Sequence, residues 1–147
     1  MTLKRASQRR SKERVKTPQL SFGRRTAALK ANLDAMPGAV AQAMSASRAS
    51  TPSVLIYKVM GKMFAILAIR GIENVILKCD PHLADNLREQ YAGVGHRSHL
   101  DRRFWISVNL DADVPAKQVK RLAAHSYELV FAKLTRKQKA ELAALSS

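Results

Sequence analysis

Arg102 and Arg103 stand directly before Phe104 and Trp105 in the stretch SHLDRRFWISVNL, residues 98–110. Guanidinium groups bind phosphates through two parallel hydrogen bonds and lie flat on aromatic rings, and an aromatic exposed on a sheet stacks on nucleobases. The quartet therefore has the residue types of a phosphate-and-base contact. Its plainer reading is a tryptophan covering a sheet beside two solvated arginines. Lys62, next to Gly61, divides the same way between a phosphate contact at a hairpin tip and a solvated turn.

Other chemically capable residues are sparse. Cys79 precedes Asp80 at the expected start of a helix, where a thiolate would be favoured; the competing reading is a small buried residue closing a sheet. His96 and His99, with Asp101 nearby, have loop spacing without a helix to align them or a further ligand, so no metal is expected. His82 and His125 fall on helices as solvated residues. The chain has no G-x-S-x-G, and Gly61-Lys62 belongs to a hairpin rather than a phosphate-cradling loop. The carboxylates form no acid/base pair, so the reading is non-enzymatic, with no cofactor.

Charge narrows the partners. Twenty-six Lys and Arg against eleven Asp and Glu give +15 over 147 residues, a field that attracts polyanions. Residues 1–30 hold ten basic side chains against Glu13 alone, a net of +9, and the other 117 residues a net of +6. A single cysteine excludes an intramolecular disulfide and fits a reducing compartment. No apolar run approaches the ~18 to 20 residues that span a bilayer, and no signal-peptide apolar region follows the basic start, so a soluble, cytoplasmic protein is expected.

These residues must be positioned by the elements around them. Residues 1–22 are too poor in apolar side chains to order and are expected to form a basic disordered arm, leaving 23–147 as one domain. The arm has two readings, a solubilising extension and a polyanion-binding tail. From Arg24, Ala28, Leu29, Leu33 and Met36, with Val40 beyond, recur at helical spacing until Pro37 and Gly38 interrupt them. VLIYKV (54–59) and KMFAILAI (62–69) flank Met60-Gly61 as a tight hairpin with positive φ at Gly61, and NVILKC (74–79) makes a third strand. Asp80 as N-cap, Pro81 in the first helical position and a stripe of Leu83, Ala84, Leu87 and Tyr91 predict a helix stopped at Gly93. FWISVNL (104–110) alternates, with Phe104, Ile106, Val108 and Leu110 on one side and Trp105, Ser107 and Asn109 on the other. A helix starting at Pro115 buries Val119, Leu122, Ser126, Leu129 and Val130, and LTRKQKAEL is expected as a short exposed helix. This order implies an α+β fold of two layers, an antiparallel sheet with helices on one face. By parity the open face carries Trp105, with Lys58 and Lys78 beside Ile56 and Ile76.

The blocks MPGA (36–39), YKVMGKMFAIL (57–67), LKCDP (77–81), SHLDRRFWISV (98–108) and SYELV (126–130) resemble, in order and spacing, the MmcQ/YjbR family of small bacterial proteins. The resemblance covers roughly Leu29 to Leu134. It implies a secretion-chaperone-like α+β fold and a DNA-binding label that rests on fold analogy to a phage transcription factor. Two positions depart from the family pattern: Phe104 stands where Lys-Arg-His-Trp usually has its histidine, and Met60 where glycine is frequent. Losing that histidine removes a titratable group from the block.

The expected function is a non-enzymatic nucleic-acid-binding protein, with DNA as the partner, contacting it through Lys58, Lys62, Lys78, Arg102, Arg103 and Trp105. The alternative is a protein- or small-ligand-binding module using the open sheet face.

Overall fold

In a computed structural model that describes residues 22–45 and 53–146, ten elements follow one another along the chain. Helix α1 (Arg24–Asp34) leads into β1 (Ala39–Met44), β2 (Val54–Val59), β3 (Lys62–Ala68) and β4 (Asn74–Lys78). Helix α2 (Pro81–Gln90), the short β5 (Val94–Gly95), β6 (Trp105–Asn109), α3 (Ala116–Ala132) and α4 (Arg136–Ser146) follow. The strands form one antiparallel sheet in the order β1-β2-β3-β4-β6-β5. Helical side chains join the core on one face of it, which is the expected α+β architecture. Of the expected basic arm, residues 1–21 lie outside the described residues, while Phe22 packs against the core.

The hairpin turns as its residues require, with one addition. Both Met60 and Gly61 have positive φ, 49° and 81°, so the two-residue turn has the type I′ sense that matches strand twist. Beyond the turn, Tyr57 pairs with Ala65 but Lys58 pairs with Met63, leaving Phe64 as an extra residue in β3. Phe64 is fully buried and meets Tyr127 of α3 edge-on, with centroids 5.3 Å apart.

The same region shows why a serine occupies the buried stripe of α3. The last direct rung between β3 and β4 joins Ala65 to Leu77. At the next rung the Ser126 hydroxyl stands between the strands, donating to the Phe64 carbonyl at 2.6 Å and accepting from the Lys78 N–H at 2.9 Å. One side chain thus satisfies two backbone groups that would otherwise be left without partners.

Several elements differ from the sequence reading. Val40 does not extend the helical stripe; it lies in β1, a strand of mostly small residues at the sheet edge, and is 65% exposed. The strand after the arginines begins at Trp105, because the Phe104 and Trp105 N–H groups both donate to the Asp101 carbonyl in a turn. Phe104 consequently points to solvent rather than to the core. Helix α4 is docked rather than wholly exposed: Leu142 is buried against Gly38, where φ is positive and a Cβ would collide with the leucine. Its start is a capping box, Thr135 and Gln138 each bonding the other's backbone N–H.

Candidate functional site

Lys78 and Trp105 are cross-strand partners on the open face. The Lys78 ammonium lies 5.9 Å from the indole centroid, within range of a cation–π attraction. Lys58 shares that face from β2, two strands away, paired with Val40 and Met63. Lys62 does not: it pairs with Val59, whose side chain is in the core, so its register sends it to the helix side at the hairpin end.

Arg102 and Arg103 are exposed on the turn leading into β6. They are not equivalent. Arg103 is engaged by Asp101, donating from Nη2 at 2.8 Å and from Nε at 3.2 Å, and its guanidinium stacks 5.2 Å from the Phe104 centroid. These hydrogen bonds hold the Asp101 carboxyl well below the usual carboxylate range, at about 2, and raise Arg103 above its ordinary value. Arg102 donates no side-chain hydrogen bond among those described, and its carbonyl accepts one from Arg88 Nη2 at 2.7 Å.

Arg88, from the last turn of α2, is a positioning residue that the sequence reading missed. Besides Arg102 it bonds the Trp105 carbonyl at 2.9 Å, tying the arginine turn to the first residue of β6. The sequence holds only a weak sign of it, a cation at a helix C-terminus.

A groove of about 320 Å³ opens at this end of the sheet. Trp105, Phe104, Leu129 and Lys133 line it opposite Lys78 and the Cys79-Asp80-Pro81 corner. Cys79 holds the corner shut, its N–H bonded to the Phe104 carbonyl at 2.7 Å. Burial, reinforced by the nearby Asp80 carboxylate, pushes its thiol up to about 11, so it stays protonated near neutrality. Asp80 is the N-cap of α2, accepting the His82 and Leu83 N–H groups. His96, considered for metal, has its Nε2 2.6 Å from the Leu100 carbonyl within its own loop. Leu129, expected in the core, is half-buried as a groove wall, and Lys133 was not singled out at all.

A sequence model of the YjbR family matches residues 34–129, well over half of the chain. The chain belongs to the YjbR family. A YjbR relative from Escherichia coli K12, described only as an uncharacterized protein, is 36% identical over 74 residues, 48% of this chain and 61% of the relative; the protein of that name from strain O157:H7 matches equally. The matched region thus spans about 61% of the length of those relatives. Among solved structures, Deinococcus radiodurans protein DR2400, a DUF419 domain, superposes with a TM-score of 0.69 at 27% identity, covering 80% of this chain and 86% of that one. A Pseudomonas syringae protein shares the fold at TM-score 0.57 and 19% identity, covering 74% and 98%.

Residues from MPGA (36–39), LKCDP (77–81), SHLDRRFWISV (98–108) and SYELV (126–130) meet at one end of this fold. The Pro37 carbonyl accepts the Tyr127 hydroxyl, Ser126 spans β3 and β4, and Lys78 through Pro81 form the corner facing the Arg102–Trp105 turn. These contacts build this end of the sheet, and Lys78, Trp105 and Arg102 lie at its surface.

Proposed function

We propose that this YjbR protein is a non-enzymatic nucleic-acid-binding module, with DNA as its polymer, that uses the Lys78, Trp105 and Arg102 end of the sheet. The observation that carries the reading is the pairing in register of a lysine with a half-exposed tryptophan, beside an arginine whose guanidinium is exposed. A cation and a flat ring side by side match the two repeating features of a nucleic-acid strand, phosphate and base. The net charge of +15 supports it by favouring polyanions, and the basic residues of 1–22 would add attraction without sequence choice. Lys58 extends the same surface, whereas Lys62 and the paired Arg103 contribute less.

The test is a titration of duplex and single-stranded DNA at several salt concentrations with the full chain, the chain lacking residues 1–22, and the Arg102→Gln/Arg103→Gln double variant. Deletion should weaken binding without abolishing it. Because Asp101 already engages Arg103, the double substitution should flatten the log-salt slope by about one unit rather than two, with melting unchanged. Full affinity in the double variant removes this surface from the reading, and loss of all binding on deletion shows that the fold is not the reader.

A second reading, a protein-binding module, is supported by the apolar character of the open face. Val40 and Met44 are 65% and 43% exposed, and Ile56 and Ile66 are half-buried.

A further inference from the structure

We propose that the groove beside Trp105 takes a single unstacked nucleotide of a DNA strand, its base against the aromatic wall and its phosphate between Lys78 and Lys133. The inference rests on the nucleic-acid reading and adds to it a preference for single strands. A base inside a duplex is stacked on both sides and cannot enter a recess, whereas the base of a single strand turns out freely and stacks on an aromatic.

The composition of the groove supports such a ligand. Phe104, Trp105 and Leu129 offer flat and apolar walls, and two lysines, Lys78 and Lys133, are among the lining residues. The carboxylate there, Asp80, is turned to the N–H groups of His82 and Leu83, so it is held by the α2 N-terminus. The buried Cys79 adds no charge near neutrality, its thiol being raised to about 11 by burial. Apolar walls with two lysines in the lining fit a ring joined to an anion. The volume, about 320 Å³, lies at the small end of ligand pockets and suits one nucleotide rather than a longer segment. Lys78 already lies near the indole centroid, so an arriving base would exchange that cation–π contact for its own stacking and leave the ammonium for the phosphate.

Trp105 is the only tryptophan in the chain, so intrinsic fluorescence reports on the groove directly. Parent protein is titrated with a short oligothymidylate, with a duplex, with thymidine monophosphate and with inorganic phosphate. The oligothymidylate should quench Trp105 saturably and bind more tightly than the monophosphate, and inorganic phosphate should leave the emission unchanged. Leu129→Phe fills the groove without altering charge and should weaken oligothymidylate binding by about tenfold, the loss of one stacked base, while duplex affinity holds. Lys133→Gln, at an exposed position, should weaken oligothymidylate binding several-fold with unchanged melting, which keeps the test valid should Leu129→Phe fold poorly. Oligothymidylate binding that leaves Trp105 emission unaltered, or that is indifferent to both substitutions, overturns the groove assignment. Monophosphate binding as tight as that of the oligomer overturns the strand assignment. In either case duplex binding sensitive to Arg102→Gln would leave the broader nucleic-acid reading standing, and failure of every polymer to bind would remove both.

Discussion

Met60 holds a conformation that its side chain resists. At φ 49° it occupies the left-handed region, which costs an L-residue roughly 1 to 2 kcal/mol. Met60→Gly should therefore stabilise the fold by up to about 1 kcal/mol after the greater freedom of glycine in the unfolded chain is subtracted, read as a higher denaturant midpoint. Gly61→Val should act oppositely: nothing lies within 4 Å of an added Cβ, so any loss of stability comes from the backbone at φ 81° and not from crowding. Asp101 supplies a residue-scale test of the surface. Its carboxyl is depressed to about 2 in the folded chain, so its pairing with Arg103 is present above the ordinary carboxylate range and is lost only as pH falls through that value. The pair is thus constant from about pH 5 to 8, where carboxylates of ordinary pKa are also ionised. Asp101→Asn keeps an oxygen for the Arg103 N–H while releasing the guanidinium's ionic partner; DNA affinity should rise and the log-salt slope steepen by about one unit. An unchanged slope would place Arg103 away from the bound polymer.

Elements meet at Ser126, and the strands it bridges depend on it. Ser126→Ala leaves the Phe64 carbonyl and the Lys78 N–H without their partner in a buried position, a loss of about 1 to 3 kcal/mol per group where no other partner is found. The expected result is a lower midpoint together with altered Trp105 emission, since Lys78 is the cross-strand neighbour of Trp105; an unchanged midpoint would mean that β3 and β4 close into a direct rung. Ser126 also marks where sequence reading stops. Its place on a helical stripe was legible, but the rung it replaces follows from a bulge at Tyr57 and Lys58, which depends on register. Strands β2 to β4 were legible because branched and aromatic residues alternate between turns, and α2 because Asp80 and Pro81 mark its start. Strand β1 was not, because alanine at every second position gives neither strand propensity nor a contrast between faces; pairing with β2 makes it a strand. For the site, parity alone put Lys78 and Trp105 on one face. Lys133 and Leu129 reach the groove from a helix distant in sequence, and the pattern of α3 assigns Leu129 to the core as readily as to a wall.

For the molecule as a whole, charge and edge oppose each other. Copies carrying +15 repel, while β1 presents at one edge of the sheet a six-residue strand with neither the lysine nor the proline that commonly blocks edge pairing. An antiparallel pairing centred on Gln42 would set Val40 of one copy opposite Met44 of the other, both of them exposed side chains. Salt removes the repulsion, since the screening length falls from about 10 Å at 0.1 M to about 3 Å at 1 M. Sedimentation velocity should show a dilute monomer at low salt and association at high salt, abolished by Val40→Lys; one species throughout would mean that the edge is inert. A nucleic-acid strand neutralises charge as salt does and also lines its ligands up. Edge pairing of this two-fold kind closes at two copies, so a strand would be occupied by pairs, the second copy of each pair binding more tightly than the first and no run growing beyond two.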